Sequence, residues 1–339
     1  MTSNAFAFGL GVGTQNSKGE WLEIFFATPV LSPSDKLVSA VSGISNDQAL
    51  APEQLSALQE ALTEAGETAQ AELASKLQAS MRPVVAVLLS TDTGPGNVPE
   101  AYLKLHLLSH RLVKPHGTNL DGMFGVLPNV AWTNEGAIAI DELAQRQLAA
   151  RLRGETLEVS CVDKFPKMTN YVVPGGVRIA HTARVRLGAH LGEGTTIMHE
   201  GFVNFNAGTD GPGMIEGRIS AGVMVGSGSD LGGSSSTLGT LSGGGNIIIS
   251  VGKECLLGAN AGTGIPLGDR CTIEAGLFVT AGTKVVMLDT DGKQVESVKA
   301  RELAGKSDLL FRRNSSSGAV ECLTNRSAVE LNAELHAHN

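Results

Sequence analysis

From about Val173 to Val285, small apolar residues return every six positions, and glycines fill many of the places between them. Val173, Ile179, Val185, Leu191, Ile197 and Val203 hold one register; Ile219, Val225, Leu231, Ile249, Cys255, Ala261, Leu267, Ile273, Val279 and Val285 hold a second. A period of six matches neither the helical turn of roughly 3.6 residues nor the strand alternation of roughly 2, and it is the signature of a hexapeptide β-helix. Each coil of such a helix has three short sides, one apolar side chain per side points inward, and stacked coils merge those contacts into a continuous core. This stretch therefore predicts a mainly β chain built on a left-handed parallel β-helix.

Two places break the period. Val203 and Ile219 are sixteen residues apart, which is no multiple of six, so the segment Asn204 to Met214 is expected to leave the coil as an excursion loop. Between Leu231 and Ile249 the spacing is kept, but Thr237 and Gly243 are poor inward residues in a turn-rich run, which suggests a second excursion or a loosened coil. Long loops inside a compact domain are usually functional, so the site is expected near these interruptions.

Glycine reaches 42 of 339 residues while aromatics are only 4%, a pairing that suits tight coils with slim interiors. A net charge of −8 argues against nucleic acid as a partner, which favours a basic surface. The four cysteines, Cys161, Cys255, Cys271 and Cys322, have no CxxC spacing and read as free thiols. The first thirty residues contain no charged segment followed by an apolar run, and no membrane span is visible. A soluble cytoplasmic protein is expected.

Residues 1–114 read as an α/β domain. Ala5 to Gly13 and Trp21 to Ala27 are strands, Pro52 to Ser80 forms one helix or two, a buried strand follows Pro83, and Pro99 to Val113 is helical. The run Gly9, Gly11, Gly13 lacks the following helix that a dinucleotide site needs. Residues 115–172 connect, with a strand at Asn129 to Asn134 and a helix at Glu142 to Arg153. His106 and His110 have a zinc-compatible spacing, but no HExxH glutamate or nearby cysteine accompanies them, and with His116 they read as surface or capping residues. After the coil domain, residues 173–288, comes a small extension, residues 289–339, with a turn at Asp289 to Gln294 and a helix-like end at Ala328 to His338. Arg312 and Arg313 with Lys299 form a local basic cluster that reads either as a solvated patch or as a phosphate site, since arginine forks match phosphate oxygens.

The segments MHEGFVNFNAGT, MIEGRISAGV, LGTLSGGGN, GANAGTGIPLGD, IEAGLFVTAGTKV and LFRRNSSSGAVE, with KLHLLSHRLVKPH upstream, resemble the tetrahydrodipicolinate N-succinyltransferases of the actinobacterial and pseudomonad type. The resemblance spans nearly the whole chain. It implies succinyl transfer from succinyl-CoA to the amine of ring-opened tetrahydrodipicolinate, in the succinylase route to diaminopimelate and lysine. It also implies a homotrimer with active sites between neighbouring β-helices, acting on small molecules without nucleic acid or membrane. Acyl transfer to an amine requires a base and an oxyanion donor. Glu216 matches the family carboxylate and is expected to act as general base for direct attack, with a nucleophilic role through an acyl anhydride as the variant, and the backbone N–H of Gly239 matches the oxyanion donor. Arg218 would fork onto the succinyl carboxylate. Gly233, Ser236, Ala259, Glu274, Ala275 and Gly282 match positions along the CoA arm, and Lys299, Arg312, Arg313, Asn314 and Ser315 match its nucleotide end. Relatives hold magnesium on the threefold axis with an acidic pair; Glu200 matches one member, whereas Ala183 stands at the other, so a non-catalytic magnesium at the trimer axis would rest on three Glu200 carboxylates. An acyltransferase of the same architecture with another amino-acid-like acceptor is the alternative function.

Overall fold

In the computed structural model, which describes residues 5–239 and 247–324, the chain divides into two units, Met1–Val113 with Gly117–Pro166 and Lys114–His116 with Lys167–Asn339. In the first unit the strand Ala7–Gln15 lies between Trp21–Phe26 and Val84–Leu89, all antiparallel. The glycines of Ala7–Gln15 serve packing. A Cβ on Gly13 would stand 2.2 Å from the carbonyl oxygen of Glu23, and one on Gly9 would meet the Phe26 ring at 2.7 Å. Two helices, Pro52–Glu64 and Thr68–Leu77, lay Leu55, Leu58, Leu62 and Ala74 against Phe8 and Leu10. Strands Val130–Thr133, Gly136–Ala139 and Val159–Asp163 form a second antiparallel sheet, flanked in sequence by the helix Ile140–Leu152.

The helix Val98–Ser109 is capped by Asn97, whose side chain accepts from the Glu100 N–H, and is buried on nearly every face, as an all-round apolar helix must be. That burial corrects the expectation for His106, which lies wholly inside. Its Nε2 accepts from the Phe26 N–H at 3.2 Å and its Nδ1–H donates to the Tyr102 carbonyl at 2.8 Å, a pairing open only to the neutral ring. Burial holds its pKa down to about 3, and the His110 ring stacks 5.9 Å away. Lys104, also buried, donates to Asp92 and Thr118.

The second unit is a three-sided parallel coil. On its first side Arg178–Ile179, Thr195–Ile197, Gly213–Ile215, Asp230–Leu231, Leu256–Leu257 and Thr272–Ile273 stack in order. Phe202–Val203, Arg218–Ile219, Ser236–Thr237, Gly262–Gly264 and Phe278–Thr280 form the second side, and Ala189–Leu191, Ala207–Thr209, Met224–Val225 and Ser250–Val251 the third. One inward residue per side builds the core: Ile197, Ile215, Leu231, Leu257 and Ile273 are each at most 1% exposed.

Several sequence expectations change here. Asn204 to Met214 is no excursion, because Ala207–Thr209 and Gly213–Ile215 are coil strands. The phase is lost instead between Ile215 and Ile219, where the corner holding Glu216 is two residues short. A second short step runs from Thr263 to Leu267; accordingly Leu257 stacks on Ile273 only sixteen residues later. Ile249, Cys255 and Ala261 are buried but stand two places before the stacking residues Val251, Leu257 and Thr263. Thr237 proves a good inward residue at 1% exposure, while Val173, at 66%, precedes the coil. Leu231 stacks beneath Leu257, 26 residues on, so this coil carries eight residues beyond three sides of six. The later part of the expected second excursion, residues 240–246, and the expected terminal helix Ala328 to His338 lie outside the described residues.

Beyond the coil, Lys284–Leu288 and Gln294–Lys299 form the expected hairpin, and Leu309–Arg313 pairs with Val320–Thr324 while adding a rung to the first side at Ile273. Cys255, Cys271 and Cys322 are free and buried, and Cys161 is exposed. Lys114–His116 is held by the coil: Lys114 pairs with Asp210, the His116 N–H donates to Asn206 at 2.9 Å, and its Nε2–H donates to the Gly222 carbonyl at 2.8 Å. Among the described residues no helix is long and apolar enough to cross a membrane.

Candidate active site

The residue that follows each inward residue of the first side turns the corner toward the second. Its N–H donates to the inward residue one rung on: Met198 to Ile215, Glu216 to Leu231, Gly232 to Leu257, Gly258 to Ile273 and Glu274 to Phe311. These bonds draw one straight edge along the coil. Glu216 stands on it at the shortened corner, half-buried, and its Oε2 would lie 3.5 Å from a Cβ on Gly233, in the rung above. The next rungs present Gly258–Ala259 and Glu274–Ala275, then Arg312–Arg313. Four rungs at the usual strand spacing of about 4.8 Å put Arg312 roughly 19 Å from Glu216.

The glycines of this edge are forced by the stacking. A Cβ on Gly258 would be 2.5 Å from the Ala275 nitrogen, and one on Gly232 2.8 Å from the Ala259 nitrogen. The edge consequently presents only Gly232–Gly233 and Gly258–Ala259 after Glu216, before the exposed Glu274 one rung ahead of Arg312. Beside it, on the outer surface of the second side, Arg218, Ser236, Gly262 and Phe278 follow one another in register. Arg218 is exposed and Ser236 half-exposed.

At the far end the strand pair Leu309–Arg313 and Val320–Thr324 forms a charged cradle. Arg312 donates through Nε to Glu321 at 2.9 Å, Asn314 donates to the other Glu321 oxygen at 2.7 Å, and the Arg313 N–H donates to Glu274 at 2.7 Å. The Asn314 amide and the Arg312 guanidinium hold the Glu321 carboxyl below its ordinary range. The Arg313 guanidinium donates to Gly318 and is otherwise exposed, and Ser315 is exposed in the turn between the strands.

The predicted site residues do not all meet. Glu216, Gly233, Ala259, Glu274, Ala275, Arg312 and Arg313 share the first edge, with Arg218 and Ser236 on its flank. Gly239 follows the second side at the next corner, where a Cβ would stand 3.3 Å from the Ala221 carbonyl. Gly282 lies at that same corner in a later coil, and Lys299, paired with Lys284, stands beyond it. Ala221 follows Glu216 by five positions, so the two edges of one chain are at most about 17 Å apart.

Glu200 occupies the first edge one rung before Glu216. Arg184 donates to its carbonyl at 2.6 Å and stands 3.8 Å from its carboxylate. Ala183 offers no oxygen, and among the described residues no three His, Cys, Asp or Glu side chains gather for a metal. The residues of one chain do not fit a magnesium ion, because an arginine already supplies the positive charge there.

Sequence reasoning missed Gly232, Gly258 and Phe278. The glycines' signal was their place directly after an inward residue of the first side.

Residues 127–167 match the model of the tetrahydrodipicolinate N-succinyltransferase middle region, and residues 248–281 match that of the hexapeptide repeat of succinyltransferases. The 2,3,4,5-tetrahydropyridine-2,6-dicarboxylate N-succinyltransferase of Pseudomonas paraeruginosa is 65% identical, with 100% of each chain covered. The protein of that name from Vibrio cholerae is 61% identical over 98% of this chain and 99% of its own. Among solved structures, a Campylobacter jejuni protein assigned as a 2,3,4,5-tetrahydropyridine-2-carboxylate N-succinyltransferase superposes with a TM-score of 0.87 at 35% identity, covering 96% of this chain and 94% of that one. With full-length relatives this similar and the same stacked coil, the chain belongs to the tetrahydrodipicolinate N-succinyltransferase family.

Proposed function

We propose that the protein transfers the succinyl group of succinyl-CoA to the amine of ring-opened tetrahydrodipicolinate, L-2-amino-6-oxopimelate, in the cytoplasm, on the succinylase route to diaminopimelate and lysine. The observation that carries this reading is the straight edge, with the Glu216 carboxylate at one end and an arginine pair at the other. The span of about 19 Å is of the order of the extended pantetheine arm. A thioester at Glu216 would then leave the CoA phosphates at Arg312, Arg313, Asn314 and Ser315, and the arm would lie against Gly233, Ala259 and Ala275. The coil domain, residues 173–288, supplies this edge up to Ala275 and the extension, residues 289–339, its arginine end, and we take the coil to be left-handed, as hexapeptide-repeat relatives imply.

In the reaction the acceptor nitrogen attacks the thioester carbon, Glu216 accepts the proton, the tetrahedral oxyanion is held by a backbone N–H, and the CoA thiolate leaves. Arg218, exposed beside Glu216, would fork onto the succinyl carboxylate. Gly239 would donate to the oxyanion, but on one chain it stands at another edge from Glu216. A homotrimer removes the difficulty, since threefold packing sets one edge of a coil against the next edge of its neighbour. Gly239, Gly282 and Lys299 would then complete the neighbour's site. No step passes through a metal, and Glu200 is assigned to its contact with Arg184.

Glu216→Gln tests the base. It should lose roughly 10²–10⁴-fold in kcat while still binding succinyl-CoA, and the residual activity should rise with pH as more acceptor amine becomes neutral. Unchanged activity would remove Glu216 from the chemistry. A burst of thiol from wild-type protein and succinyl-CoA without acceptor would replace direct transfer by an acyl-anhydride step. A stable, active monomer in sedimentation would sink the shared site.

A further inference from the structure

Phe278 is 41% exposed in a chain whose aromatics make up only 4% of its residues. It opens the strand directly after the corner Glu274–Leu277, so it borders the same edge as Ala275 and Ala259. Its ring does not stand out into solvent but lies back over the preceding rung. A Cβ on Gly262 would be 2.1, 2.4 and 2.6 Å from three of its ring carbons. Glycine at 262 is therefore the condition for the ring's position, and no larger residue leaves it there.

From this placement, and resting on the acyl-CoA reading above, we infer that Phe278 is the apolar wall of the groove that seats the pantetheine arm. At the rungs of Gly232–Gly233 and Gly258–Ala259 the edge offers glycine, alanine and backbone, which admit a thin chain closely but cover little of its apolar surface. Along the flank, Arg218 and Ser236 are polar and Gly262 has no side chain. The Phe278 ring is thus the apolar surface that the second-side flank offers between the catalytic carboxylate and the arginine pair. It is a positioning residue: it touches neither the thioester carbon nor the phosphates, and it fixes the arm between them. Burying a half-exposed ring face against methylene groups corresponds to an affinity change on the order of tenfold.

The test measures dissociation constants by calorimetry for CoA and for adenosine 3′,5′-bisphosphate, which carries the nucleotide end without the arm. The full-length wild type is compared with Phe278→Ala, Phe278→Leu and Gly262→Ala. Phe278→Ala should weaken CoA on the order of tenfold and leave the bisphosphate unchanged; Phe278→Leu should recover part of the loss, and Gly262→Ala should reproduce it by displacing the ring. Equal CoA affinity in Phe278→Ala and wild type overturns the proposal, as does a parallel loss for both ligands, which marks general disruption. Lost self-association with CoA affinity kept would assign the ring to subunit packing and overturn it too. Phe278→Leu decides if the alanine variant fails to fold. Wild-type protein that bound neither ligand would sink the acyl-CoA reading itself, and this inference with it.

Discussion

Lowering the pH from about 7.5 to about 5 should destabilise the N-terminal unit through His106. The neutral ring is the only form that fits: Nε2 must accept from the Phe26 N–H, and a proton there would set two donors against each other inside the core. Burial, the dominant cause, lowers its pKa from the ordinary 6.5 to about 3. Since the folded state binds this proton less well than the unfolded state, the stabilisation is complete above pH 6.5 and is lost as pH falls toward 3. Those two values make the loss between about pH 7.5 and 5 come to about 2 kcal/mol. His110 is also lowered by burial and acts in the same sense. Urea unfolding followed by tryptophan fluorescence isolates the effect, because Trp21 and Trp132 are the chain's two tryptophans and both belong to the unit that holds His106. His106→Gln should start less stable, having a poorer partner for the Phe26 N–H, yet lose about 2 kcal/mol less than wild type over the same pH interval. Equal acid sensitivity in the two proteins would refute the buried neutral imidazole as its source.

Two glycines of the edge should respond differently to the same change. Gly258→Ala drives a methyl into the Ala275 backbone and should cost about 1–3 kcal/mol of coil stability, read from thermal unfolding; an unchanged melting temperature would show that the rungs can spread. Gly233→Ala meets only the Glu216 carboxylate, so the fold should hold while kcat falls; full activity would place the thioester elsewhere. Arg313→Ala should raise the KM for succinyl-CoA and leave that of the acceptor nearly unchanged, and equal effects on both would count against a phosphate contact. Arg312→Ala should do the same and also lower the melting temperature, because the buried Glu321 carboxylate loses its guanidinium partner; unchanged stability would show that Asn314 suffices.

The coil was legible because Val185, Leu191, Ile197 and Val203 put branched apolar residues at every inward place for more than a turn. Its phase was misplaced where threonines take over that role. Thr209 bonds Thr195 inside the coil at 2.7 Å, Thr237 donates to the Arg218 carbonyl at 3.1 Å, and Thr263 donates to the Ile265 carbonyl at 2.7 Å. A hydroxyl satisfied by its own coil is as good an interior residue as valine, but a hydropathy pattern counts it as polar. His106 was misjudged for the same reason, since its partners come from the helical turn before it and from a strand 80 residues away. The proposed site residues come from the resemblance, but their alignment is not legible in it. Glu216, Gly232, Gly258, Glu274 and Arg312 are unevenly spaced in sequence, and only strand pairing shows them as successive rungs.

The rung spacing makes the site a ruler with discrete marks. Because each coil advances by one strand spacing, the separation of Glu216 from Arg312 can change only in steps of about 4.8 Å. Evolution or design cannot lengthen it by an ångström; it must add or remove a whole coil, and either change would leave a carrier of fixed arm length engaged at one end alone. On the proposed placement of the CoA arm, choice of acyl carrier would be written into the number of coils, and choice of acyl group into the side chains at one end. A truncated thioester that ends before the arginines should be used poorly however well its acyl group fits.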